Sequence, residues 1–149
     1  MIDTSVLGQY SFFDGLDQDQ INKIIPLMQE ENFESGTDII IEGKYNDRLY
    51  FILEGRVAVL KRGIVLMKHG KGDVFGELEV LDVDPVEATV KALAATKVMT
   101  LSIDALGEIF EKDLKIYSFL LTNLARDVAR RLRYMDNRLT SDTHFTEWS

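Results

Sequence analysis

The chain has 149 residues, 46% of them hydrophobic and 28% charged, with a formal net charge of −8. That length fits one domain able to bury about two-thirds of its unfolded surface, and the acidic balance disfavours nucleic acid and anionic membranes as general partners. With no cysteine, disulfides, redox thiols and thiolate metal sites are excluded. Met1 to Ser5 carry no basic region, and no apolar run reaches the length of a membrane span, so a cytoplasmic protein with no membrane partner is expected.

In chain order, Phe12 to Leu16 lead into Asp17, which can cap a helix, with Gln20 placed to close a capping box. Ile21, Ile24, Ile25 and Met28 give that helix one apolar face, and Pro26 ends or kinks it early. From Glu31 the period changes to two. Phe33, Ile39–Ile41, Leu49–Leu53, Val57–Leu60 and Ile64–Met67 are short β-rich runs punctuated by Gly36, Gly43, Gly55 and Gly63. Strands of this length and spacing predict a sandwich or jelly roll. Ala88–Ala92 and Thr96–Ile103 supply two more strands. Asp104 is expected to cap a helical region with Leu106, Ile109 and Phe110 on its apolar face. A longer helix follows from about residue 113 to 139. In it Leu121, Leu124, Val128, Leu132, Met135 and Leu139 recur at gaps of three or four and form one stripe. A helix of about 25 residues runs roughly 37 Å, longer than one side of a small domain, so its distal half is expected to pack on a second copy.

The stretch from Gly72 to Val90 reads as a ligand loop between strands. Gly72 and Gly76 bracket Asp73–Phe75, a helical turn is expected next, and strand character resumes at Ala88–Thr89–Val90. Glycine followed by a short helix presents free backbone N–H groups, a common way to hold phosphate. Yet Asp73 to Val90 contain six acids and no base. Glu77, Glu79 and Glu87 would repel a phosphate, and each other, if they converge on one cavity.

Phe75-Gly76-Glu77-Leu78, with Pro85 and Ala88-Thr89-Val90 downstream, resembles the phosphate cassette of the cyclic-nucleotide-binding domain family, Phe-Gly-Glu-Leu-small-Leu and then Pro-Arg-X-Ala-Thr-Val. Ile41-Glu42-Gly43, Tyr50-Phe-Ile-Leu-Glu-Gly-Arg-Val57 and the Phe12–Leu16 entry also look like the family, so that the resemblance spans about Phe12 to Leu139. It implies a mostly β fold, a double-stranded β-helix (a cupin-like jelly roll) with an N-terminal helix and a long C-terminal one. Residues 1–139 would form the domain and 140–149 a flexible tail. It implies a nucleotide site at Phe75, Gly76, Glu77, Leu78, Val86, Ala88 and Thr89, with Glu77 accepting from a ribose hydroxyl. The family's phosphate arginine falls on Val86, which cannot pair with phosphate. Lys91 and the arginines of the long helix are the cations that could replace it. Base contacts would come from Arg131, Met135 and Asp136. The expected ligand is cyclic AMP or another cyclic nucleotide, bound weakly or in an altered way. The expected assembly is a homodimer through the long helix.

Arg126, Arg130, Arg131, Arg133 and Arg138 crowd that helix and could meet phosphate or nucleic acid, but they also complement its dipole opposite Glu108, Glu111 and Asp113, which is the preferred reading. His69 and His144 stand alone, so no metal site is expected, and His69 reads as a solvent-facing strand end. No nucleophile setting is present, so no enzyme and no cofactor is expected. Ten residues after Leu139 are too few for a helix-turn-helix, so no DNA-binding domain is expected in this chain. The alternative to a sensory module is a degenerate member that serves as a dimeric protein-interaction module with a partner not readable from the sequence.

Overall fold

The computed structural model describes residues 4–77 and 85–143. Among the described residues, eight strands form two four-stranded antiparallel sheets. β1 (Gln29–Phe33), β8 (Thr96–Ser102), β3 (Arg48–Glu54) and β6 (Val74–Phe75) make one sheet, in that spatial order. β2 (Asp38–Ile40), β7 (Thr89–Ala92), β4 (Arg56–Lys61) and β5 (Ile64–Gly70) make the other. This is the expected β-roll with flanking helices. Helix α1 (Gln18–Ile24) carries the full Asp17/Gln20 capping box and gives way at Pro26 to a 3₁₀ turn, Ile25–Leu27. Helix α2 spans Ile103–Lys112 and α3 spans Leu114–Thr143.

Leu49–Leu53 is apolar at every position because β3 is covered on both faces. Leu49, Phe51 and Leu53 face a cluster made with the helices, including Phe12, Phe13, Ile116, Leu120 and Leu124. Tyr50 and Ile52 face the space between the sheets, with Ile40, Val57, Phe75, Val86, Val90 and Val98. Phe12 and Phe13 lie 5.4 Å from the Phe51 ring, centre to centre, and anchor the N-terminal segment on β3.

Two expectations change. Ser102, not Asp104, caps α2, because its hydroxyl accepts from the Ala105 N–H at 3.1 Å. Asp113 does start α3, accepting from the Ile116 N–H at 3.1 Å. The stripe along α3 is not one buried face. Leu124 is buried, but Leu121, Leu132 and Leu139 are 45%, 63% and 59% exposed. The roll is covered instead by Ile116, Leu120 and Leu124.

A polar ladder beside those residues fixes the course of α3. Asn123 donates to the carbonyls of Phe12 (2.9 Å) and Asp14 (2.8 Å). Asp127 accepts from the Ser11 hydroxyl at 2.8 and 2.9 Å. Arg131 reaches the Gly72 to Glu77 segment, and Arg138 donates to the Leu66 carbonyl. Positions 123, 127 and 131 are four apart and therefore share one side of the helix.

Candidate functional site

The site begins with the turn after β5. The Gly70 N–H donates to Asp73 Oδ2 at 2.9 Å, and Gly72 N and Asp73 O bracket Ile52 with bonds of 3.1 and 3.0 Å. The two residues of β6 then pair with β3, Phe75 opposite Tyr50, and their rings stack at 4.7 Å with planes 2° apart. Burial beneath that stack pushes the Tyr50 phenol up to about 12. Gly76 follows with φ 92°, and a Cβ there would lie 2.7 Å from the Arg48 carbonyl oxygen. Only glycine makes this turn, and it carries Glu77 inward.

Glu77 is 0% exposed. Burial raises its carboxyl above the usual range, against the opposing pull of Arg131. The Arg131 guanidinium, delivered by α3, donates to Glu77 Oε1 and, at 2.9 Å, to the Val74 carbonyl. Glu77 Oε2 finds no partner among the described residues.

Beside this pair a cavity of about 240 Å³ opens between roll and helix. Val59, Met67, Phe75 and Val90 line it from the strands, Val128, Leu132 and Met135 from α3. His69 and Arg131 are its charged or titratable lining residues among those described. His69 is not solvent-facing as expected: it is 8% exposed, its Nδ1 lies 3.7 Å from Asp73 Oδ2, and its Nε2 has no partner among the described residues. The imidazole holds the Asp73 carboxyl below the usual range, ahead of the opposing effect of burial. Its cover comes from elsewhere in the chain, with α3 contributing to the walls of the cavity that His69 lines.

The other expected positions divide. Phe75, Gly76, Arg131 and Met135 line the cavity. Val86 is 3% exposed and belongs to the core between the sheets, its N–H donating to the Lys44 carbonyl at 2.8 Å. Ala88 is half-buried, and the Thr89 hydroxyl accepts from the Glu42 N–H at 3.1 Å. Asp136 is exposed. Leu78 and Glu79, with the helical turn expected there, lie outside the described residues. Glu87 does not converge with Glu77: its side chain is 85% exposed and 3.6 Å from Lys61 Nζ. Lys91 pairs with Asp38 at 3.2 Å, whereas Arg131 lines the cavity. Among those residues no cluster of three or more metal-ligating side chains occurs, and no helix is long and apolar enough to cross a membrane.

The architecture is a two-sheet roll whose glycine-turned loop buries a carboxylate against a covering helix. The family model of the cyclic nucleotide-binding domain matches residues 30–113, more than half of the chain, and the chain belongs to that family. It is 29% identical over 147 residues to the CRP-like cAMP-activated global transcriptional regulator of Mycobacterium tuberculosis, an alignment covering 95% of this chain and 63% of that regulator. The chain thus spans less than two thirds of that relative's length. The crystal structure of a cyclic nucleotide-binding domain from Methylobacillus flagellatus superposes with a TM-score of 0.85 at 25% identity, covering 94% of this chain and 82% of that one. The regulatory subunit of a cAMP-independent protein kinase A from Trypanosoma brucei superposes with a TM-score of 0.74 at 28% identity over 91% of this chain and 49% of its own. That structure is of a triple variant bound to cAMP, one substitution being threonine to arginine.

Proposed function

We propose that this chain is the sensing domain of a regulatory protein, dimeric through α3 and cytoplasmic, with no catalytic role, and that its site binds cyclic nucleotides weakly or in an altered way. The observation that carries this reading is the side chain at position 86. Where the family pattern places a phosphate arginine, Val86 sits in the core, and the cation that lines the cavity, Arg131, is already held by Glu77 and the Val74 carbonyl. The relationship to a cAMP-activated regulator supports a sensory role. The Trypanosoma subunit, described as cAMP-independent and captured with cAMP as an arginine-bearing variant, supports the weight given to a missing arginine.

Calorimetric titration with cyclic AMP and cyclic GMP tests this. Loss of a charge-assisted pair costs about 1.5–3 kcal/mol, so a Kd no tighter than about 0.1 mM is expected. Micromolar binding by the unmutated protein would refute it. The second reading, a dimeric protein-interaction module without a small ligand, is favoured by the exposed leucines at 121, 132 and 139. Capture of a partner that survives filling of the cavity would support it.

A further inference from the structure

We propose that the outward face of the β4–β5 hairpin is a docking surface for a short, extended acidic segment of another protein, one that also carries an apolar residue. The surface is the opposite face of strands that wall the cavity, so it is distinct from the site already described.

The chain carries a formal net charge of −8, yet the run from Arg56 to Lys71 holds five lysines or arginines and no acid. Arg56, Arg62, Lys68 and Lys71 are exposed. Of the five bases only Lys61 is ion-paired among the described residues, with Glu87 at 3.6 Å. The hairpin register directs the strand cations outward. Val57 stands opposite His69 and both are buried, so Arg56 and Lys68, one position away on each strand, fall on the other face. Val59, Met67 and His69 line the cavity from the inner face. At the tip Arg62 turns the chain with a φ of 53°, and Lys61 stands opposite Ile64. Ile64 is 66% exposed and Val65 36%, so uncompensated cations and aliphatic surface adjoin one another.

The dimensions select a short occupant. From Arg56 to Lys61 a strand rises roughly 17 Å, the span of about five extended residues. Beyond that span lie acids: Glu54 precedes the patch, Asp73 follows it and Glu87 flanks Lys61, all three exposed. A long polyanion such as DNA, or an anionic bilayer, extends past the hairpin onto this rim and onto a surface of net negative charge. Repulsion acts there within a screening length of about 8–10 Å. A segment that ends inside the rim keeps the attraction and avoids the repulsion. Ile64 and Val65 offer apolar contact to one side chain of the same segment, which adds a term that salt does not screen.

The test titrates the full chain into a labelled, acetylated peptide of glutamates around a central leucine pair, followed by fluorescence anisotropy and calorimetry. The peptide should bind at least about tenfold more tightly than its analogue with glutamine in place of glutamate, and should lose affinity as salt is raised. Arg62→Glu with Lys68→Glu should weaken binding about tenfold or more while circular dichroism stays unchanged, since both side chains are exposed. Lys115→Glu, which reverses an exposed base on α3, should leave binding unchanged. Ile64→Ser should weaken it about threefold. Equal binding of the two peptides overturns the proposal, as does binding that survives the double charge reversal, an equal loss with Lys115→Glu, or no loss with Ile64→Ser. Tighter binding of a DNA duplex or of phosphatidylserine vesicles than of the peptide overturns it as well.

Discussion

Arg131 and Glu77, separated by 54 positions, form an ion pair in which the carboxylate is fully buried and the guanidinium one-fifth exposed. The pair ties the long helix to the glycine-turned loop, so helix position and loop position are one variable. Removing the cation alone leaves a buried charge without compensation. Arg131→Met should therefore cost about 3 kcal/mol or more of stability near neutral pH. Glu77→Leu combined with Arg131→Met should recover most of it, because an apolar pair replaces an ionic one. Urea denaturation of the single and double variants checks both statements, and an unchanged midpoint for Arg131→Met would contradict the first.

Stability should fall as pH rises past the ordinary carboxylate range. Burial raises the folded Glu77 pKa above its ordinary value of 4.5. A group raised in this way contributes its full stabilisation below the unfolded pKa and loses it as pH climbs through the folded one. Glu77→Gln should flatten the fall, whereas Glu87→Gln should not, since Glu87 is solvent-facing. Asp73 works in a different window. Its lowered pKa gives stability above its ordinary 3.8 that disappears as pH drops further. Thermal melts from about pH 2 upward separate the two groups, Asp73 acting at the acid end and Glu77 above the ordinary carboxylate range.

Val86→Arg should have two opposed effects. A guanidinium cannot stay among Tyr50, Phe75 and Val90, so the side chain must turn out of the core, and removal of the buried valine lowers the melting temperature. Once turned out, it can pair with a phosphate, and affinity for cyclic AMP should rise about tenfold or more. Calorimetry beside a thermal melt measures both; a variant that loses stability and gains no affinity would show that the cassette needs more than one cation.

Assembly can be tested on the exposed leucines. Leu121, Leu132 and Leu139 face solvent on one copy, an exposure that a second copy of α3 would remove. The wild type should scatter light as a dimer at micromolar concentration. Leu132→Asp should give a monomer with an unchanged far-ultraviolet spectrum, because that side chain is 63% exposed within one copy. A monomeric wild type would remove the basis for a dimer.

How far the sequence reached can be seen element by element. The β-rich runs, the Asp17/Gln20 box, the Pro26 break and Asp113 as the start of the last helix were all legible, because each is a local consequence of propensity, capping or period. Gly76 was legible as a backbone-permissive position, and the structure gives it a φ of 92° close to the Arg48 carbonyl. What failed were statements about which way a side chain meets the rest of the molecule. His69 reads as exposed on its own strand, yet α3 contributes to the walls of its cavity. The apolar residues of α3 form a periodic stripe, but the helix is held by Asn123, Asp127 and Arg131 on an adjoining polar ladder that hydrophobic periodicity does not detect.

The sequence by itself determined the helices and the longer strands in their order, but not the short strand β6 or the burial of Glu77. The tertiary structure alone decided that Val86 belongs to the core, that Glu87 stays in solvent, and that Arg131 compensates Glu77. The physical reason is range. Propensity and period act over a few residues, whereas burial and pairing depend on groups that become neighbours only when distant segments close on one another.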